Sequence, residues 1–180
     1  MSSATLPGLL EALGELFLVP GSAQPWASFA GAPWATPALR AALESMAPRA
    51  DQEVAYAGLF LAGCRRPTIH LEASVQRTGL LLDEAVLGEL EALFEAAGVC
   101  PDPGAPPDHL GVLLLFLGHL LRRGGEGAME AAARTLLDLQ VEPLALRVAS
   151  QLRQEGVDPF YAHAGRVLEA TVGLCRALLG

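Results

Sequence analysis

The run from Leu110 to Leu121 constrains the fold of this chain more than any other feature. Its twelve residues are apolar or glycine except for His119. A helix that crosses a bilayer needs about 20 apolar residues. The run therefore predicts a helix buried at the centre of a globular domain. Pro106 and Pro107 precede it, and because proline is excluded from helix interiors, the helix is expected to begin directly after them.

Asp108 and His109 stand where this helix begins. Aspartate is a favoured N-cap residue, so we expect Asp108 to cap the helix and His109 to lie in its first turn. A positive charge is unfavourable at a helix N-terminus, and the sequence indicates no local stabilising role for His109. A neutral imidazole beside a carboxylate can donate and accept hydrogen bonds. Both residues are therefore candidates for ligand binding, and capping and binding are compatible roles for Asp108.

Apolar residues recur at three- and four-residue spacing through most of the chain, which is typical of amphipathic helices. No segment alternates with period two for long enough to predict a strand. The pattern predicts an all-α fold: a single globular domain over residues 1–180 with eight to ten helices. The stretches from Pro20 to Pro37 and from Gly98 to Pro107 are expected to be loops because they are rich in proline and glycine. Pro143 is expected to open a separate helix.

Charge and the N-terminal segment narrow the class of protein. The net charge of −8 disfavours nucleic-acid binding, which requires a basic surface. The segment from Met1 to Ala23 superficially resembles a signal peptide, but it begins without basic residues and contains Glu11 and Glu15 at helical spacing. We interpret it as the first helix of a cytoplasmic protein without stable membrane insertion.

The residue types for catalysis and metal binding are poorly represented. The chain contains no lysine and therefore no lysine-bearing phosphate loop, and it lacks both the Gly-x-Ser-x-Gly and the His-Glu-x-x-His pattern. Its histidines lack the spacing of metal ligands. Cys64, Cys100 and Cys175 are widely spaced and odd in number, so we expect three buried small apolar residues in place of a disulfide framework or a zinc site. The prediction is no catalytic residue, no metal and no cofactor.

A second polar segment runs from Arg65 to Val75. It joins two predicted helices through Pro67 and brings His70, Glu72 and Ser74 close together in sequence. An ordinary polar loop explains this composition equally well, and both interpretations stay open at this point.

Four motifs, taken in order, resemble those of the redox-enzyme maturation chaperones of the TorD, DmsD and NarJ type. The most specific is Pro107-Asp108-His109-Leu110-Gly111 followed by the leucine-rich run. The others are the Tyr-x-x-Leu-Phe motif of residues 53–60, Pro67 followed by Leu71–Val75, and Asp158-Pro159-Phe160-Tyr161. Ala73 separates Glu72 from Ser74, which departs from the family's Glu-Ser-Val pattern.

The resemblance implies an all-helical cytoplasmic chaperone of TorD-like fold. Such a protein holds the N-terminal, twin-arginine-type signal peptide of an apo molybdopterin oxidoreductase and assists cofactor insertion before export or membrane attachment. The family's peptide-recognition residues correspond here to Asp108 and His109, and its loop position to Leu71, Glu72 and Ser74. An acidic, apolar-rich protein also suits a peptide that combines arginines with an apolar stretch.

Two alternatives remain at the sequence level. One is an oligomeric scaffold or assembly subunit without a peptide site, whose apolar surface forms an interface. The other is a small-molecule enzyme that uses His109 with Asp108 or Glu72. A monomer and a homodimer are both compatible with the sequence.

Overall fold

The computed structural model describes residues 4–22, 24–61, 69–124, 127–154 and 156–180, and these residues form helices joined by short connections. The α-helices are α1 (Leu6–Leu18), α2 (Trp26–Ala30), α3 (Pro37–Glu44), α4 (Gln52–Phe60), α5 (Ala73–Thr78), α6 (Glu84–Ala96), α7 (Leu110–Arg122), α8 (Gly127–Leu136), α9 (Glu142–Leu152) and α10 (Pro159–Leu179). A π-helical turn, Leu137–Val141, joins α8 to α9. The described residues contain no β-strand, and the all-α prediction is confirmed.

Helix α7 lies at the centre of the domain, as the apolar run predicts. Its residues Leu110, Leu113, Leu114, Leu117 and Leu120 are fully buried. Helix α7 packs most extensively against α1, and two glycines make this contact possible. A Cβ atom on Gly111 would lie 2.7 Å from the Gly14 carbonyl oxygen, and one on Gly14 would lie 2.8 Å from the Gly111 carbonyl oxygen. The two backbones therefore touch where α1 and α7 cross.

Pro143 lies in the first turn of α9, as expected, and the π turn makes α8 and α9 continuous with each other. Proline has no N–H to donate, and the π turn shifts the hydrogen-bond register directly before Pro143. The chain stays helical because the two irregularities coincide. Helix α10 then packs on α9, with Gly165 close to the Ala149 carbonyl oxygen.

One short helix lies in a segment that the sequence predicts as a loop, and another begins in the second polar segment. Helix α2 lies within the stretch from Pro20 to Pro37 and buries Trp26 and Phe29. Helix α5 begins in the last three residues of the second polar segment and continues beyond it to Thr78. None of the helices in the described part of the chain is long and apolar enough to cross a membrane.

The cysteines agree only in part with the expectation of burial. Cys175 is buried in α10, and burial raises the pKa of its thiol to about 12. Cys100 is exposed, because it lies in the loop after α6 that is open to solvent, so that expectation is wrong. Cys64 lies outside the described residues.

Candidate functional site

The aromatic residues of two sequence motifs meet in one cluster. The Tyr56 ring centroid lies 4.9 Å from that of Phe60, and Phe60 lies 5.5 Å from Tyr161 in an edge-to-face arrangement. Phe160 contacts Tyr161, and Phe17 of α1 contacts Phe60. The Tyr56 hydroxyl donates a 2.8 Å hydrogen bond to the Phe17 carbonyl oxygen. These motifs therefore hold α1, α4 and α10 together, since edge-to-face aromatic pairs stabilise beyond the area they bury.

The other two motifs meet at a backbone junction, which we define as residues 71–74 together with residues 108–110. Glu72 and His109 form an isolated antiparallel bridge. The Leu110 N–H donates to the Leu71 carbonyl oxygen at 2.7 Å, and the Ala73 N–H donates to the Asp108 carbonyl oxygen at 2.9 Å. The junction thus ties the start of α5 to the start of α7.

Asp108 does not cap the helix that follows it, and this expectation is wrong. Its Oδ2 accepts a 2.9 Å hydrogen bond from the Ser74 N–H in the first turn of α5. Asp108 is fully buried, with 0% of its surface exposed. Because its carbonyl oxygen also accepts from Ala73, the residue supplies two acceptors to the otherwise unpaired N–H groups of a distant helix. A local sequence pattern carries no signal for such a partner.

His109 is the N-cap of α7, one position earlier than expected. Its Nδ1 accepts a 3.1 Å hydrogen bond from the Gly111 N–H. Burial lowers the pKa of His109, and the negative charges of Glu72 and Asp108 oppose this shift without overcoming it. The neutral ring with its proton on Nε2 fits this arrangement, because only an unprotonated Nδ1 can accept. The half-buried imidazole is then left with one N–H donor.

The remaining predicted residues differ in exposure. Leu71 and Ser74 are buried, whereas Glu72 is partly exposed. One Glu72 carboxylate oxygen lies 3.8 Å from Nδ1 of the exposed His70. The charge of Glu72 also helps to raise the pKa of Tyr56, an effect that is mainly due to burial. The junction therefore presents Glu72 and His109 toward solvent in front of a buried layer and close to the aromatic cluster.

Two buried oxygens of the junction have no hydrogen-bond partner among the described residues: Oδ1 of Asp108 and Oγ of Ser74. Buried polar atoms are usually paired, and those that are not invite explanation. Pro67, the remaining residue of the motifs, lies outside the described residues. Chemically, the junction offers hydrogen bonds and one carboxylate that reaches solvent, that of Glu72. The described residues contain no group of three or more His, Cys, Asp or Glu side chains arranged to hold a metal ion.

Sequence reasoning missed a long cleft beside the loop from Gly98 to Pro107. One part has a volume of about 570 Å³ and lies against α6, where Leu87, Phe94 and Val99 line it together with Glu91 and Glu95. The other part, about 480 Å³, lies between the loop, the end of α1 and α7, where Val112, Leu115, Phe116 and His119 line it. Both parts share Phe94, Val99 and Pro101, so they adjoin. The helical spacing of these wall residues was the available signal, but it is equally typical of a core-facing surface.

Comparison with known proteins assigns a family to the chain. The family model described as nitrate reductase delta subunit matches residues 30–152. This match includes α4, the junction and the whole of α7. A search of curated proteins found no match to the chain.

Proposed function

Because the chain belongs to the nitrate reductase delta subunit family, which is of the TorD, DmsD and NarJ type, we propose that it binds the N-terminal, twin-arginine-type signal peptide of an apo molybdopterin oxidoreductase. In this proposal it assists cofactor insertion and assembly before the client is exported or attached to the membrane. The resemblance found in the sequence motifs is confirmed at the level of the family. Membership supports a role in molybdoenzyme maturation and an interaction with a molybdoenzyme subunit in general.

The observation that carries the proposed site is the bridge between Glu72 and His109. It holds the Glu72 carboxylate and the His109 imidazole side by side. The backbone at this point is fixed by the hydrogen bonds from Leu110 to Leu71 and from Ala73 to Asp108. A carboxylate held in this way suits the arginines of a signal peptide, since arginine–carboxylate pairs are charge-assisted and directional. The free Nε2–H of His109 suits a peptide carbonyl oxygen.

Asp108, Ser74 and Leu71 have a different role in this proposal. Their burial keeps them from the solvent-facing surface, so we assign them the positioning of Glu72 and His109. Asp108 holds the first turn of α5, and Leu71 anchors the strand-like segment to α7. Peptide binding would then depend on these residues through the geometry of the junction.

We further propose a cytoplasmic location and a binding role without catalysis. In the junction as described, the Ser74 hydroxyl is not hydrogen-bonded to a general base, and a chaperone family is consistent with a binding role. The scaffold alternative retains one specific support: the large apolar side chains Val54, Leu61, Leu80, Leu81 and Leu82 are more than half exposed. A scaffold would keep its size and stability unchanged when peptide is added, which light scattering and thermal unfolding can measure.

The test of the proposed site is a binding titration with a synthetic peptide. The peptide carries the N-terminal sequence of a molybdopterin oxidoreductase subunit encoded beside this chain, and fluorescence anisotropy measures its affinity. His109→Asn retains an oxygen acceptor at the N-cap while removing the imidazole. We expect Glu72→Gln and His109→Asn each to weaken binding by about 1–2 kcal/mol, the usual range for hydrogen bonds to charged or buried groups.

His163→Asn on α10 is the matched control, because it makes the same substitution at a partly exposed histidine that belongs neither to the junction nor to the aromatic cluster. Circular dichroism should show that all three variants keep their helical content. If Glu72→Gln and His109→Asn bind the peptide as tightly as the parent protein does, the junction is not the peptide site.

A further inference from the structure

Helix α5 carries Glu72 at its N-cap but has little apolar packing of its own. Of its six residues, only Ala73 and Ser74 are buried, and Arg77 and Thr78 are exposed. A helix of this length does not persist in water by itself, and little apolar surface is available to fix its direction. The direction in which α5 presents Glu72 is therefore set by polar contacts at its two ends.

The last turn of α5 is held by a two-point ion pair with α6. The Arg77 guanidinium donates from Nη1 to Oε2 of Glu89 at 2.7 Å and from Nη2 to Oε1 at 3.4 Å. The hydrogen bonding between them raises the pKa of Arg77 and lowers the pKa of Glu89. Because both oxygens of the carboxylate are engaged, the pair fixes an orientation as well as a distance.

The π turn holds Glu89 in place from a third direction. Nε2 of Gln140 donates a 2.7 Å hydrogen bond to the same Oε2 atom that accepts from Arg77. Gln140 is 1% exposed, and its Oε1 atom is buried without a hydrogen-bond partner in the described residues. A buried amide with one unpaired end lowers stability, so stability alone does not explain why this side chain points inward. Its contact with Glu89 supplies a reason, and π turns are frequent at functional sites.

Arg147 of α9 provides a further contact with α5. Its Nη1 donates to the Gln76 carbonyl oxygen at 2.7 Å, in the last turn of α5, where carbonyl groups lack helical partners and a cation is favourable. The Gln76 side chain turns back and donates from Nε2 to the His70 carbonyl oxygen at 2.9 Å. The segment before Glu72 and the helix after it are therefore bound to each other, and a rotation of α5 would displace Glu72.

We propose that Glu89 is a positioning residue for peptide binding, which acts through Arg77 and α5 on the carboxylate of Glu72. This role rests on the proposed function of Glu72. Gln140 preorganises the Glu89 carboxylate, and Arg77 transmits its position to the last turn of α5.

This arrangement separates affinity from stability. The side chains of Arg77 and Glu89 are 40% and 39% exposed, and exposed ion pairs contribute little to stability. A displaced Glu72 carboxylate, by contrast, loses a directional bond to an arginine of the peptide. Loss of Glu89 should therefore weaken peptide binding more than it weakens the fold.

A double-mutant cycle tests this role, with the synthetic N-terminal peptide of the client as the probe and fluorescence anisotropy as the measurement. Glu89→Ala should weaken binding about fivefold in the parent protein, within the usual range for coupled residues. In a protein that already carries Glu72→Gln, the same change should weaken binding by less than about twofold, because the carboxylate that Glu89 positions is gone. A general loosening of the fold would weaken binding equally in both backgrounds.

Glu130→Ala on α8 is the matched control, because it removes an exposed glutamate that pairs with Arg134 outside the junction. It should bind the peptide as the parent protein does. Arg77→Lys keeps the charge but loses the two-point geometry, so it should recover only part of the affinity that Arg77→Ala loses. The urea midpoint of Glu89→Ala should stay close to that of the parent protein.

Gln140→Leu removes the donor to Glu89 and the unpaired Oε1 atom at once. Its urea midpoint should equal or exceed that of the parent protein, because a buried unpaired oxygen is lost. Its peptide affinity should nevertheless fall about threefold, the value of one hydrogen bond. A merely structural role of Gln140 would move stability and affinity in the same direction.

Two results would overturn the positioning role alone. In the first, Glu72→Gln weakens binding but Glu89→Ala binds as tightly as the parent protein. In the second, Glu89→Ala weakens binding equally with and without the Glu72 carboxylate. If Glu72→Gln itself leaves the affinity unchanged, the proposed peptide site is wrong, and so is the role of Glu89. An effect of Glu89→Ala that is confined to proteins with an intact Glu72 supports it.

Discussion

The junction and the cleft adjoin at Pro107, yet they differ in how far they bury their charged side chains. The junction buries Asp108 completely and uses both of its acceptor groups on the backbone of α5. The cleft leaves Glu91 and Glu95 exposed beside apolar surface and leaves the Nε2 atom of His119 without a partner. Both regions nevertheless contain a buried polar atom that has no hydrogen-bond partner in the described residues, Oδ1 of Asp108 in the junction and Nε2 of His119 in the cleft. Within a single motif, Asp108 is therefore a fully buried structural residue, whereas its neighbour His109 is only partly buried.

The largest effect is expected where the junction meets α1. Gly111→Ala would place a Cβ atom 2.5 Å from Cγ of Leu18 and 2.7 Å from the Gly14 carbonyl oxygen. Overpacking against backbone should lower the free energy of unfolding by about 2–3 kcal/mol. Urea denaturation measures this change.

Gly88→Ala on the cleft helix α6 is the control, because a Cβ atom there meets nothing within 4 Å. It should raise the free energy of unfolding by about 0.5–1 kcal/mol, since alanine favours a helix over glycine. A Gly111→Ala variant as stable as the parent protein would show that the α1–α7 crossing adjusts freely.

Two aspartates provide the next comparison. Asp108→Ala removes a buried acceptor from α5 and should lower the free energy of unfolding by about 2 kcal/mol. Asp102→Ala, on the cleft loop, removes an exposed hydrogen bond from the Gly104 N–H and should change it by less than about 0.5 kcal/mol. Asp108→Asn keeps an oxygen acceptor, so its effect on the free energy of unfolding should lie between those of the two alanine variants. Equal effects of the two alanine variants would contradict the distinction between the regions.

Two histidines near opposite ends of α7 should respond in opposite directions to the same substitution. His109→Leu removes the N-cap acceptor of Gly111 and should lower the free energy of unfolding by about 1 kcal/mol. His119→Leu replaces a buried unpaired atom with an apolar side chain and should raise it by about 1 kcal/mol. Thermal unfolding of the two variants measures both signs. A loss of stability in His119→Leu would indicate that its imidazole already has a structural partner.

The smallest effect concerns pH. The pKa of His109 lies below its ordinary value of 6.5 in the folded protein because of burial. The unfolded chain therefore binds a proton more readily than the folded protein does, and stability falls as the pH decreases through 6.5. Above that value the contribution is fully present. The parent protein should lose more stability between neutral and mildly acid pH than His109→Asn does, as paired denaturation curves would reveal. Identical pH profiles of the parent protein and His109→Asn would indicate that the His109 imidazole is exposed to solvent.

Local pattern was sufficient for the long helices. The apolar run from Leu110 to Leu121 predicted α7, which the structure places at Leu110–Arg122. The boundaries of the long helices depend on nearby capping residues and prolines, which the sequence displays directly. Asp158, for example, stands directly before Pro159 and caps α10 by accepting a hydrogen bond from the Phe160 N–H.

Non-local partners explain what the sequence could not reveal. Helix α5 has six residues and a polar composition, and its cap comes from Asp108. Neither the sequence of α5 nor that of the start of α7 indicates by itself that α5 depends on Asp108. The π turn contains Gln140, whose Nε2 donates a 2.7 Å hydrogen bond to a carboxylate oxygen of Glu89. A search for apolar residues at a period of 3.6 does not detect such a change of helical register. The cleft was missed because a helix surface that faces a groove has the same periodicity as one that faces the core.

The cap that α5 receives from Asp108 lies 34 residues further along the chain, and this has a consequence for the order of folding. A six-residue helix is too short to persist in water without tertiary contacts, so α5 should form only after the start of α7 is in place. Its first turn and the amide of Leu110 would then open together, as a single cooperative unit in hydrogen exchange. Newly synthesised chains would remain open at this corner until residues beyond Gly111 have emerged from the ribosome.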